Sequence, residues 1–273
     1  MSLRRLMRLP RSIAARIFAA QTSPVYMGDE RLLARVLGEY RMFVCASDLG
    51  FATHILMDGV WEYPITKFVV ETIKPGMVTV DVGANFGYYT LLMADLARPS
   101  GICVALEPNP DIVPFLRDSV AVNGLASQCR VHSVAVGRAA GEARMTAPRR
   151  EPKNGSLHRG PELPNDAIHT VAVRSLDEVL AGEPRVDFIK IDAEGSEADI
   201  IEGMKHTLRQ HKPRLLIEFN MGHSYDGAAL IGTLLEAYGV MNFVDERGRA
   251  RSISAEGAIA KGRLDDVMLY FTP

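Results

Sequence analysis

Between Met77 and Phe219 the chain repeats one pattern. A short apolar, β-branched run stops at an acidic or glycine-bearing loop and is followed by residues at helical spacing. The runs are Met77 to Val82 (MVTVDV), Gly101 to Leu106 (GICVAL), Arg130 to Val136, Val186 to Ile191 and Arg214 to Phe219. Helical spacing follows at Tyr88 to Ala97, on the face made by Ile112, Phe115, Leu116, Ser119 and Val120, at Ser196 to Gln210 and at Gly227 to Tyr238. Strands apolar on both faces belong inside a parallel sheet with helices on both sides, so the predicted fold class is α/β, a doubly wound sheet of about seven strands. Val240 to Asp245 and Asp266 to Phe271 finish the sheet, one or both antiparallel. With 273 residues, 47% of them hydrophobic and 23% charged, there is apolar material for one such domain, and disorder is excluded.

The first βα junction reads DVGANFG: Asp81 ends the strand, Gly83 and Gly87 bracket a tight turn, and a helix begins at once. Glycine lets backbone approach a ligand, and the free N–H groups at a helix start favour an anionic group. A dinucleotide fingerprint needs G-x-G-x-x-G, whereas Asn85 takes the middle glycine's place here, with a large Phe86 beside it to crowd a pyrophosphate. Asp81 repels phosphate and attracts an amino group. The second strand ends at Glu107, 20 residues beyond Gly87, where a carboxylate accepts hydrogen bonds from two ribose hydroxyls. Together these features describe S-adenosylmethionine, a nucleoside with a cationic tail.

Charge and cysteine content narrow the setting. Lys plus Arg total 31 against 33 Asp plus Glu, a net −2, which offers no chain-wide attraction to nucleic acid. Cys45, Cys103 and Cys129 are widely spaced among apolar neighbours and read as core thiols in a reducing cytoplasm. No run approaches the length needed to span a bilayer. The first 24 residues carry Arg4, Arg5, Arg8, Arg11 and Arg16 and no acid. They read as a helical arm packed on the domain or on a second copy in a homo-oligomer, with peripheral contact to an anionic membrane as the other reading. Residues 1–60 are taken as this basic arm and appendage, and 61–273 as the main domain. Between the third and fourth strands, Gly141 to Thr170 carries Pro148, Pro152, Pro161 and Pro164 with Arg144, Arg149, Arg150, Lys153, His158 and Arg159. A loop this long at the ligand end of the sheet is expected to act as a substrate-side lid.

VDVGANFGYYT, ALEPNPDIVPFLRDSVAVNGL, SLDEVL, VDFIKIDAEGSEADIIEGM and PRLLIEFN occur in that order between about Trp61 and Asn220. They resemble the FkbM family of S-adenosylmethionine-dependent methyltransferases. The resemblance implies a class I (Rossmann-like) methyltransferase fold and O-methylation of a small-molecule or glycan acceptor: a hydroxyl on a sugar, glycan, glycolipid or secondary metabolite. It implies that Asp81, Gly83, Asn85 and Gly87 hold the methionine end of the cofactor, that Glu107 holds the ribose, and that Asn109 and Ala135 lie near the adenosine.

Transfer of a methyl group to a hydroxyl needs a group that removes the hydroxyl proton. Asp192 and Glu194 end the fourth strand, Glu218 ends the fifth, and Asn220 and His223 follow, so Asp192, Glu218 and His223 are the candidate catalytic residues. Two mechanisms fit: His223 or Asp192 as general base, or a divalent metal ion held by Asp192, Glu218 and Asn220 that acidifies the hydroxyl. Glu194 and Glu197 also suit the N-terminal charges of the next helix, and Lys190 lies within the strand where it can pair with an acid. His54, Trp61 and Glu62 are candidates to roof the site. The rival readings are a Rossmann-type nicotinamide-dependent dehydrogenase or epimerase, which Asn85 disfavours, and a binding module that keeps the fold without catalysis.

Overall fold

The computed structural model describes residues 2–148, 151, 155–157 and 166–273. The chain opens with helices Leu3–Leu6 and Arg11–Ala19 and an antiparallel three-stranded sheet of β1 (Val25–Gly28), β2 (Arg31–Val36) and β3 (Tyr40–Cys45). Helices Phe51–Asp58 and Tyr63–Thr72 lead into the main sheet. Its strands are β4 (Val78–Val82), β5 (Ile102–Leu106), β6 (Cys129–His132), β10 (Phe188–Ile191), β11 (Arg214–Phe219), β12 (Asn242–Val244), β13 (Ala250–Ser252) and β14 (Val267–Phe271). Three more strands, β7 (Ala135–Val136), β8 (Gly141–Pro148) and β9 (Asp166–Arg174), make a second small sheet in the order β7-β9-β8.

The main sheet runs β13-β12-β14-β11-β10-β4-β5-β6. β4 pairs in parallel with both β10 and β5, β11 continues in parallel from β10, and β14 is antiparallel to β11 and β12. The doubly wound α/β sheet expected from the apolar runs is therefore present, with an antiparallel strand near one edge. Alternation along each strand feeds two cores. Phe188 and Leu216 pack on the face covered by helices Tyr63–Thr72, Tyr88–Leu96 and Val113–Val122. Ile189, Ile191, Leu215 and Ile217 pack on the opposite face, under helices Glu197–Glu202, Lys205–His211 and Gly227–Tyr238.

Several boundaries differ from expectation, each for a local reason. Arg130 to Val136 is not one strand: β6 joins the main sheet while β7 pairs with β9. The single helix expected at Ser196 to Gln210 breaks at Gly203, where a Cβ would lie 2.1 Å from the Gly137 carbonyl oxygen. Gly141 to Thr170 is not a plain loop. Gly141–Pro148 and Asp166–Arg174 pair along eight residues each; Met145, Val171 and Val173 pack with Ala135 in a small core of their own, and Ala147 alternates to the buried side with Met145. Arg149, Arg150, Pro152, Lys153, His158, Arg159, Pro161 and Pro164 lie outside the described residues.

The basic arm packs on the domain. Leu3, Leu6, Met7, Ala14 and Phe18 are buried in the same core as Leu91 and Phe86. The Arg4 guanidinium donates to the carbonyls of Val70 and Ile73 at 2.7 and 2.8 Å, at the end of helix Tyr63–Thr72 where carbonyls lack helical partners. Among the described residues no helix is long and apolar enough to cross a membrane.

Candidate active site

The chain leaves β4 for β5 and β6 on one side and later returns to β10 on the other. The carboxyl ends of β4 and β10 therefore flank the point where strand order reverses, and ligands of open α/β sheets bind there. A cavity of about 550 Å³ opens there. Its floor is the loop after β4. Gly83 and Ala84 both donate to the Leu106 carbonyl at 3.0 Å, and Gly83 sits at φ +78 so close to the facing strand end that a Cβ would lie 1.8 Å from the Asp192 carbonyl oxygen. Asn85 also has a left-handed φ of 52, and its Oδ1 accepts from the Phe86 N–H at 2.8 Å, which supports a conformation most side chains avoid.

Of the expected cofactor residues, Gly83, Asn85, Glu107 and Ala135 line the cavity. Glu107 is anchored at both oxygens by backbone N–H groups, from Asn85 and from Asn109, each at 2.8 Å. Burial, opposed by those two bonds, lifts its carboxyl to about 7. Three expected residues stand one layer back from the wall. Asp81 is fully buried beneath the loop, with Oδ2 accepting from Thr90 at 2.6 Å, and Oδ1 has no hydrogen-bond partner among the described residues. Gly87 caps helix Tyr88–Leu96 at φ +98 against Leu116, and Asn109 serves Glu107 through its N–H. Phe86 does not crowd the ligand space: its ring is buried and stacks on Phe51 at 5.7 Å, because the turn directs it into the core.

The candidate catalytic residues converge. Asp192, Glu218 and His223 all line the same cavity, with Glu62, Lys190, Glu194, Asn220 and Asp266. Lys190 does more than fill a strand. Its ammonium, with a side chain only 2% exposed, lies 2.8 Å from Asp192 Oδ2 and 4.7 Å from the centre of the Tyr89 ring. Burial pulls its proton affinity down, but the Asp192 and Asp81 carboxylates more than offset that and hold it charged. Tyr89 in turn donates to Glu62 Oε2 at 2.8 Å. Glu218 is driven far above the usual carboxylate range, first by burial and then by Asp192, Asp266, Glu194 and Glu197, and so carries a proton at neutral pH.

His223 is raised by Glu197, whose side chain is fully buried behind it, with burial acting the other way. Glu197 opens the helix Glu197–Glu202, the helix-start position expected of it. From there its side chain turns inward, where Oε1 accepts from the N–H groups of Ala193 and Gly195 at 3.0 and 3.3 Å. Trp61 and Glu62 roof the cavity as expected. His54 does not; it is exposed and faces Asp58 at 3.3 Å.

The expected metal set does not assemble. Asn220 Nδ2 donates to Asp266 at 2.5 Å and its Oδ1 accepts from Gly222 at 2.6 Å, and Asp192 Oδ2 is held by Lys190. Among the described residues no three His, Cys, Asp or Glu side chains form a group able to hold a metal ion. A cationic nucleoside fits better. Glu62, Asp192, Glu194 and Asp266 line the wall with Glu107, against the single ammonium of Lys190, so the cavity favours a positive ligand and repels a pyrophosphate.

The chain is similar to several solved methyltransferases. A solved FkbM methyltransferase from Methylobacillus flagellatus KT is similar at 17% identity and a TM-score of 0.49; the match covers 81% of this chain and 55% of that one. The chain thus spans about half the length of that relative. A TehB-like SAM-dependent methyltransferase from Corynebacterium glutamicum matches at 9% identity and a TM-score of 0.45, covering 81% of this chain and 94% of the other. The C-terminal domain of a precorrin-6Y C5,15-methyltransferase from Rhodobacter capsulatus matches at 13% and 0.44, covering 78% and 91%. No curated protein matches the sequence significantly. The methyltransferase FkbM domain matches residues 81–248, more than half of the chain and the whole stretch from the glycine loop through β10 and β11. With its glycine loop, acid-ended strands and α/β sheet, the chain belongs to the FkbM methyltransferase family.

Proposed function

We propose that the protein transfers a methyl group from S-adenosylmethionine to a hydroxyl oxygen, and that its acceptor is a sugar, glycan or glycolipid hydroxyl or that of a secondary metabolite. The carboxylate-rich cavity at the glycine loop carries this reading. When bound, the cofactor supplies an electrophilic methyl carbon on a positively charged sulfur. Glu107, fixed by two backbone N–H groups, would accept from the ribose hydroxyls, and the loop Gly83–Asn85 would hold the methionine end. Ala135 would face the adenosine.

His223 is the side chain best suited to take the acceptor proton. Asp192 has one oxygen committed to the Lys190 ammonium, and Glu218 already carries a proton, so it is suited to donate a hydrogen bond. A neutral imidazole at the same rim accepts a proton near neutral pH without large adjustment. Met145 and Leu157, from β8 and the segment beyond it, give the cavity an apolar wall. This lining supports the insertion as a lid on the substrate side. Mass spectrometry of glycans and small metabolites from a deletion strain tests the reading. Loss of one CH2 per site on a hydroxyl-bearing compound is expected, and an unchanged profile overturns it.

A further inference from the structure

Behind His223 lies an acid the methyl-transfer scheme does not use. Glu197 is 0% exposed, and its Oε2 lies 3.5 Å from His223 Nδ1. Both atoms are buried, and neither makes an aligned hydrogen bond among the described residues. They face each other directly, with no other side-chain partner between them among the described residues. The carboxylate is not free to turn away, because Oε1 is held by two backbone N–H groups of the loop after β10, at Ala193 and Gly195. The ring is confined from another side by Tyr225, edge-on at 5.7 Å between centroids. His223 also lines the cavity, so with Nδ1 buried against Glu197 the other edge of the ring is left for the acceptor.

We propose that Glu197 is a positioning residue: its carboxylate keeps the neutral imidazole's proton on Nδ1 and so presents an unprotonated Nε2 to the acceptor hydroxyl. The inference rests on the methyl-transfer reading for its purpose, though not for its test. An ionised carboxylate accepts and cannot donate, so it selects the tautomer with a proton on the nitrogen facing it. When Nε2 takes the hydroxyl proton, the resulting imidazolium is paired at once with a buried anion. The other charged groups acting on the ring are Glu194, from the loop after β10, and Asp266, just ahead of β14. Both are acids, so they add to the stabilisation of the cation without choosing a tautomer.

NMR of the full chain, with 15N- and 13C-labelled histidine, reads the arrangement without any acceptor. In the wild type, neutral His223 is expected as the Nδ1–H form, titrating above the ordinary value of about 6.5. Glu197→Gln keeps an oxygen for the Ala193 and Gly195 N–H groups but turns an NH2 donor toward Nδ1. The tautomer should switch to Nε2–H and the titration fall by about one unit, roughly tenfold in the proton-binding constant. Glu197→Asp should restore the Nδ1–H form. Circular dichroism and S-adenosylhomocysteine binding by calorimetry check that each variant is folded. A folded Glu197→Gln protein with the wild-type tautomer and titration overturns the proposal. Failure to find a methylated acceptor would instead count against the methyl-transfer reading alone.

Discussion

At the scale of single residues, the site is a set of acids given different tasks by their surroundings. Glu107 shows this most clearly. Burial lifts it to about 7, whereas two ribose hydroxyls donate more strongly to its charged form, in which both oxygens accept, so cofactor binding should expel a proton when the pH is below that value. The affinity for S-adenosylmethionine should rise as pH goes from 6 to 8. Calorimetry in two buffers of different ionisation enthalpy checks this, and Glu107→Gln should remove the pH dependence along with much of the affinity. His223→Ala should lower kcat by about 10² to 10⁴ while sparing cofactor binding, as expected for loss of a general base. Lys190 is a stability residue as much as a site residue. Lys190→Met leaves Asp81 and Asp192 without their cation, and a loss of about 3–5 kcal/mol is expected in urea unfolding.

Elements set where those residues stand. The turn after β4 approaches the end of β10 so closely that Gly83→Ala must move one strand end from the other. That change should cost at least about 2 kcal/mol and weaken cofactor binding together, since left-handed strain and a backbone clash coincide. Gly141→Ala, in open space at the start of β8, is the control and should do neither, as a thermal melt with and without S-adenosylmethionine would show. The rim positions of Glu107, Asp192 and Glu218 were legible because each stands at or next to the end of an apolar run; Asp81 was expected to end its strand, but β4 continues to Val82 and the Asp81 side chain is buried beneath the loop. The hairpin of β8 and β9 was not. Its charged and proline residues mask a period of two in which only Met145, Ala147, Val171 and Val173 point inward. Orientation was the other blind spot. Phe86 and Glu197 both turn inward because of turn geometry, which residue type does not encode.

For the molecule as a whole, the reversal of strand order at β4 and β10 puts two sets of acids around one cavity, and that order arises from pairings distant in sequence. The arrangement has a cost in stability. Glu107 binds its proton more tightly folded than unfolded, where it titrates near 4.3, so its stabilisation is complete below about pH 4 and is lost as pH rises through about 7. Glu218 acts in the same sense at higher pH. The unliganded protein should therefore melt at lower temperature as pH climbs from 6 to 9, with a shallower slope in Glu218→Gln. A cationic ligand relieves that repulsion, and a phosphorylated one increases it. Isothermal titration of the unliganded chain with S-adenosylmethionine and, separately, with NADH measures the preference directly. Binding of S-adenosylmethionine in the micromolar range with no heat from NADH at millimolar concentration is the expected result; NADH binding with no response to S-adenosylmethionine would contradict it.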